Sequence, residues 1–92
     1  MKFKVEVGEL ERHTVEFNFN QLSGSLLIQV DNKPVIKSTR VFNEPVSEVY
    51  DFVVGGGVEK SRVRIEKQRK QLLGHRSSVY VDNRLTRVFE GI

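Results

Sequence analysis

The phrase Val-Asp-Asn-basic occurs twice, as Val30-Asp31-Asn32-Lys33 and as Val81-Asp82-Asn83-Arg84, 51 positions apart. Each copy follows a run rich in β-branched or aromatic residues and precedes another apolar run. Asn enters the left-handed backbone region more readily than any residue but Gly, and Asp folds its carboxylate back onto the local backbone. An Asp-Asn pair between two such runs therefore specifies a two-residue β-hairpin. Two hairpins in 92 residues commit the chain to an antiparallel β domain, and their spacing hints at two similar halves.

The rest of the pattern agrees. Phe3, Val5 and Val7 alternate with Lys2, Lys4 and Glu6, and His13, Val15, Phe17 and Phe19 alternate with Arg12, Thr14, Glu16 and Asn18. Period-two alternation is the mark of a half-buried strand. Leu26, Ile28 and Val30 form the inward row of a third strand. In the fourth, Val35 and Val41 fall on one parity and Ile36 and Phe42 on the other, so either both faces are covered or a bulge near Ser38 and Thr39 shifts the phase. Tyr50, Phe52 and Val54 make a fifth strand, ended by Gly55-Gly56-Gly57. Val79 and Val81 enter the second Asp-Asn turn, and Leu85 and Phe89 leave it.

Residues 58–74 read two ways. Val58, Ile65 and Leu72 recur every seven residues ahead of Gly74, as in a helix with a glycine stop. Alternatively Val63 and Ile65 alternate with Arg62, Arg64 and Glu66 in a strand that turns through 67–71 and returns. The strand reading gives about eight short strands and a single domain over 1–92, an all-β antiparallel sandwich or flattened barrel.

Composition excludes several functions. The chain has no cysteine, hence no disulfide, thiolate ligand or thiol nucleophile, which accords with a reducing compartment. No apolar run is long enough to span a bilayer and the N-terminal residues alternate, so a cytoplasmic protein without a membrane partner is expected. His13 and His75 are the only histidines. Glu11 and His13 could form a metal pair, but two ligands do not close a zinc site, and no metal or other cofactor is expected. His75 and Ser77 share a face of an extended chain, yet no orienting acid or oxyanion donor accompanies them, so hydrolytic chemistry there is a remote alternative to a non-enzymatic role. Gly55-Gly56-Gly57 lacks the Gly-Lys-Ser/Thr of a phosphate loop.

Charge is the best functional signal. The net charge is +3, but residues 1–58 carry 6 basic and 8 acidic side chains, residues 59–76 carry 7 and 2, and residues 77–92 carry 2 and 2. Lys60, Arg62, Arg64, Lys67, Arg69, Lys70 and Arg76 concentrate a positive field that attracts an acidic protein or a phosphate backbone. No aromatic residue lies between Phe52 and Tyr80, so the stacking platform of single-strand nucleic-acid binders is missing from the segment itself. Lys and Arg on an edge strand also deter edge-to-edge aggregation. A protein partner is the leading expectation, through the basic hairpin with its neighbouring edge strand open to strand addition, and nucleic acid is the alternative.

The order His13-Thr14-Val15-Glu16-Phe17, Ser23-Gly24, Val30-Asp31-Asn32-Lys33 and Phe42 resembles the Fas apoptosis inhibitory molecule family. Phe52-Val53-Val54-Gly55, Val63-Arg64-Ile65 and Val79-Tyr80-Val81-Asp82-Asn83-Arg84 look like that family's closing strands, so the likeness runs from about His13 to Phe89. The resemblance implies a sandwich of about eight antiparallel strands with no known enzymatic activity. It also implies action through protein contacts, since the family is linked to blocking death-receptor signalling and to protection from aggregation. It supplies no catalytic residues. Animal members join two such units in tandem and carry a Trp after the first hairpin, where this chain has Ser38-Thr39-Arg40-Val41. Self-pairing of one unit into a homodimer would imitate the tandem.

Overall fold

The structure, a computed structural model, describes residues 1–39, 46–70 and 74–91. Eight strands follow in order: β1 (Lys2–Val7), β2 (His13–Asn20), β3 (Ser25–Val30), β4 (Lys33–Thr39), β5 (Ser47–Gly55), β6 (Lys60–Arg69), β7 (His75–Val81) and β8 (Arg84–Gly91). They form two four-stranded sheets, ordered β1-β2-β3-β4 and β5-β6-β7-β8, with every neighbour antiparallel. Each sheet is a meander, and the two pack as a sandwich rather than closing into a barrel.

The halves match in detail. Asp31 and Asn32 adopt φ of 51° and 66°, and Asp82 and Asn83 adopt 50° and 68°. Both central residues of each turn are left-handed, as a type I′ hairpin requires. Asp31 Oδ1 accepts from the Thr14 amide at 2.9 Å, and Asp82 Oδ1 accepts from the Arg62 amide at 2.9 Å. Each turn is thereby tied to the strand beyond its own hairpin. The register of β3 with β4 shifts so that Val35 is the extra residue, and that of β7 with β8 shifts at Thr86. Val35 and Thr86 are again 51 positions apart, so turn and bulge repeat together.

These bulges correct the phase expected for the fourth strand. The break lies at Val35, three residues beyond the turn, rather than near Ser38 and Thr39. Val35 is thereby left exposed while Ile36 packs against the core. Val41 and Phe42 lie outside the described residues. The Thr86 bulge does the same in β8: Leu85 faces out and Phe89 faces in, and the Thr86 hydroxyl holds the distortion by donating to the Val79 carbonyl at 2.9 Å.

The strand reading of 58–74 holds for β6, which runs on to Arg69 rather than turning at Lys67, and Leu72 lies outside the described residues. Ser61, Val63, Ile65 and Lys67 are buried while Arg62 and Gln68 are exposed, which is period two. Val58 is 78% exposed in a loop, so it belongs to no helical stripe. Gly74, at φ 94°, serves the entry to β7 rather than a helix end.

The core is the sum of the inward rows: Phe3, Val5, Val7, Val15, Phe17, Phe19, Leu26 and Ile28 from the first sheet, with Tyr50, Val54, Val63, Ile65 and Val79 from the second. Aromatic rings join the layers. Phe3 stacks on Phe17 at 4.7 Å and on Phe89 of the opposite sheet at 4.0 Å, while Phe17 meets Tyr50 edge-on at 6.4 Å. Such pairs add about 0.5–1.5 kcal/mol each beyond the apolar area they bury.

Candidate functional site

Alternation divides the seven basic residues of 60–76 between the two sides of the second sheet. On β6, Lys60, Arg62 and Arg64 project outward, and Lys67 projects inward, 3% exposed, with Nζ 3.6 Å from the centre of the Phe19 ring. His75 meets the same ring edge-on at 5.0 Å. Lys67 is therefore part of the interior and does not belong to a surface patch at the hairpin tip. Arg69 is exposed at the end of β6, with its amide bonded to the Val46 carbonyl at 2.8 Å.

Four of the outward cations, Arg62, Arg64, Lys70 and Arg76, are matched by carboxylates. Arg62 presents Nε and Nη2 to the two oxygens of Asp51, each at 3.0 Å, a bidentate fork that holds the Asp51 carboxyl below its ordinary range. Arg64 donates to Glu66 at 3.0 Å and to Asn83 Oδ1 at 3.1 Å. Glu90 receives Lys70 at 3.0 Å and Arg76 at 2.8 Å; these two hydrogen bonds lower its pKa, that from Lys70 most. The segment that is a block of positive charge in sequence divides in space into two carboxylate-paired clusters, Arg62 with Arg64 and Lys70 with Arg76, an interior Lys67, and Lys60 and Arg69 exposed at the two ends of β6.

The first of these clusters sits in the middle of the outer face of the second sheet. The register places Asp51, Arg64, Tyr80 and Leu85 in one row across β5 to β8, and Val49, Glu66, Ser78 and Val88 in the next. The Arg64 guanidinium lies 4.3 Å from the centre of the Tyr80 ring, a cation–π contact. The aromatic partner that the basic segment lacks in sequence is supplied by the neighbouring strand. Around this stack four aliphatic side chains are about half exposed: Val49, Val53, Leu85 and Val88. The outer face of the first sheet is different, with Lys2, Lys4 and Glu6 on β1 and Glu16 and Asn18 on β2.

A second cluster ties the two sheets at one end. Glu59 Oε1 accepts from the amides of Glu9, Leu10 and Glu11 at 2.7, 3.0 and 3.2 Å. Glu11 Oε1 accepts from the Val58 amide at 2.8 Å, and Glu11 Oε2 meets His13 Nε2 at 2.6 Å. The other ring nitrogen, His13 Nδ1, is 2.5 Å from Asp31 Oδ2. An imidazole held on both nitrogens by carboxylates is satisfied only as the cation, and the hydrogen bonds to Asp31 and then Glu11 raise the His13 pKa above 6.5. The Glu11 and Asp31 carboxyls are held low in turn, Glu11 chiefly by His13 and Asp31 chiefly by the Thr14 amide. The Glu11–His13 pair expected from alternation is thus a carboxylate–imidazolium bridge completed by Asp31. Among the described residues, no group of three or more His, Asp or Glu side chains is placed to hold a metal ion.

His75 and Ser77 do share a face, but it is the inner one, and both are fully buried. The Ser77 hydroxyl donates to Met1 Sδ at 3.1 Å. Tyr80 is a site residue that sequence reasoning does not mark, and Asp51, between Tyr50 and Phe52, is marked by it only as a charge facing water, not as the partner of Arg62. The available signal is Asp51 as a carboxylate in the middle of the strand preceding Arg62 and Arg64.

Fold and faces define a class first: an eight-stranded antiparallel sandwich of two repeated meanders, one of them with a mixed aliphatic, Arg and Tyr outer face. The family model of the Fas apoptotic inhibitory molecule (FAIM1) matches residues 1–90, and the chain belongs to that family. No curated protein and no solved structure matches it. Among the described residues, no helix is long and apolar enough to cross a membrane.

Proposed function

We propose that this member of the family is a non-enzymatic protein-interaction module of the cytoplasm, and that its contact surface is the outer face of the β5–β8 sheet. The observation that carries the reading is the Arg64–Tyr80 stack at 4.3 Å, set among Val49, Val53, Leu85 and Val88. Arg and Tyr are enriched among the residues that dominate binding energy, and a ring of aliphatic contacts excludes water from them. Because Asp51 and Glu66 already neutralise Arg62 and Arg64, the face suits a protein surface better than a phosphate backbone. No cofactor is required.

The test is a tagged pull-down from source-cell lysate, split into nuclease-treated and untreated halves, with wild type beside an Arg64→Glu/Tyr80→Ser variant. A protein retained through nuclease treatment and lost with the variant is the expected result. A partner that disappears with nuclease, or one that binds the variant equally well, overturns the reading.

A further inference from the structure

The four edge strands of the sandwich are not alike. β1 carries Lys2 and Lys4; β4 carries Pro34 between Lys33 and Val35 and is broken by the Val35 bulge; β8 carries Arg84 and Arg87 and is broken at Thr86. Lysine, proline and bulges are among the means by which β proteins keep an exposed edge from pairing; an inward-pointing charge is another, and β5 has one only next to its start, at Glu48. β5 has no lysine, proline or bulge. Its nine residues run in unbroken register with β6 from Ser47 to Gly55, its two charges, Glu48 and Asp51, are both acidic, and Val49 and Val53 are 53% and 50% exposed. Among the described residues, no strand pairs with its far side.

We propose that the free edge of β5 binds a protein partner by strand addition, and that the segment it takes is extended and alternates Lys or Arg with Val or Ile. β6 shows what complements β5, because it already does so on the other side. Asp51 lies opposite Arg64, Val53 opposite Arg62, Tyr50 opposite Ile65 and Phe52 opposite Val63. β6 places Glu66 opposite Val49, so the complement copied from it is basic over Asp51 and Val53: on the free side it gives the Asp51 carboxylate, 40% exposed, a second cation and Val53 the alkyl stem of a basic side chain. Backbone hydrogen bonds supply affinity and the acidic centre supplies selectivity. The proposal rests on the reading of the chain as a protein-interaction module and adds the mode of contact and the partner's chemistry.

The experiment titrates the isotope-labelled whole chain with a capped peptide, Thr-Val-Lys-Val-Arg-Val-Lys-Thr, and follows amide shifts and exchange. The controls are a peptide with Glu at the basic positions and a Val49→Lys/Val53→Lys variant whose melting curve reports that it is folded. Expected are shifts and slowed exchange at residues 47–55, weakened about tenfold or more by either control. No shift at about millimolar peptide, equal binding by the acidic peptide or by the variant, or shifts centred on β1, β4 or β8 would overturn the proposal. Because purified protein is used, the outcome separates from the lysate test. A lysate partner that survives nuclease and is lost with Arg64→Glu/Tyr80→Ser, beside a silent peptide titration, removes strand addition and leaves the interaction module standing.

Discussion

Glu11 and Glu59 cap each other's loops. Glu59, ahead of β6, accepts three amides from the β1–β2 loop, and Glu11, ahead of β2, accepts the Val58 amide from the β5–β6 loop. The two carboxylates sit at equivalent places in the two meanders, each three residues before the strand position tied by an Asp turn, Thr14 in one half and Arg62 in the other. Gly55, at φ 85°, belongs to the same exchange: a Cβ there would lie 2.8 Å from Glu11 Oε2 and 2.4 Å from the Glu59 carbonyl. The joint is a reciprocal swap of anionic acceptors between halves, and it supplies partners for backbone donors that strand pairing leaves over.

Removing either acceptor loosens the joint. Glu59→Ala strands three amides and Glu11→Ala one amide and the imidazolium. We expect both to lower Tm by roughly 4–8 °C, with Glu59→Ala also speeding hydrogen exchange at residues 9–11. Unchanged exchange there would mean that the capping does not order the loop.

The bridge at His13 makes stability depend on pH with two limbs. The His13 pKa is raised, so its contribution is complete below the unfolded value of 6.5 and is lost as pH rises through the higher folded value. Glu11 and Asp31 are depressed, so theirs is complete above 4.5 and 3.8 and is lost as pH falls through the lower folded values. The denaturation midpoint should therefore be greatest between these limbs, and His13→Gln should flatten the alkaline one. An NMR titration placing His13 at or below 6.5 would contradict the bridge.

The Asp-Asn turns predict opposite responses to two substitutions at one position. Asn32→Gly and Asn83→Gly remove the cost of a left-handed residue and should be neutral or stabilising by up to about 1 kcal/mol, whereas Asn32→Val should cost about 1–2 kcal/mol. Urea denaturation midpoints decide this, and destabilisation by both Gly variants would contradict the turn geometry.

Charge reversal separates interior from surface among the basic residues. Lys67→Glu places an anion against the Phe19 ring in a buried site and should abolish the cooperative thermal transition. The combined Arg64→Glu/Arg69→Glu/Lys70→Glu variant should still melt cooperatively, because those side chains face solvent. In the core, Phe17→Ala should cost about 3–5 kcal/mol by the cavity it leaves.

The fold was legible because period-two alternation and turn chemistry are local. Val5, Phe17 and Ile28 could be placed on the inner face from parity alone, and Asp31-Asn32 announced its own conformation. Bulges at Val35 and Thr86 were not legible in position, since a bulge is set by which partner residue the opposite strand offers. The candidate face was half legible. Arg62 and Arg64 were found as charges, but their neutralisation by Asp51 and Glu66 and the stack on Tyr80 are cross-strand or same-face relations that need the register of β5, β6 and β7. Lys67 shows the limit most sharply: composition makes it one more surface cation, and parity within β6 turns it into the core.

The account's central claim is that the outer face of β5–β8 is where a partner binds. The direct measurement adds the protein retained from lysate to the isotope-labelled chain and maps which amides move. Shifts gathered at Val49, Asp51, Arg64, Tyr80 and Leu85 are the predicted result. Shifts confined to the Lys2, Lys4 and Glu16 face of the first sheet would contradict it.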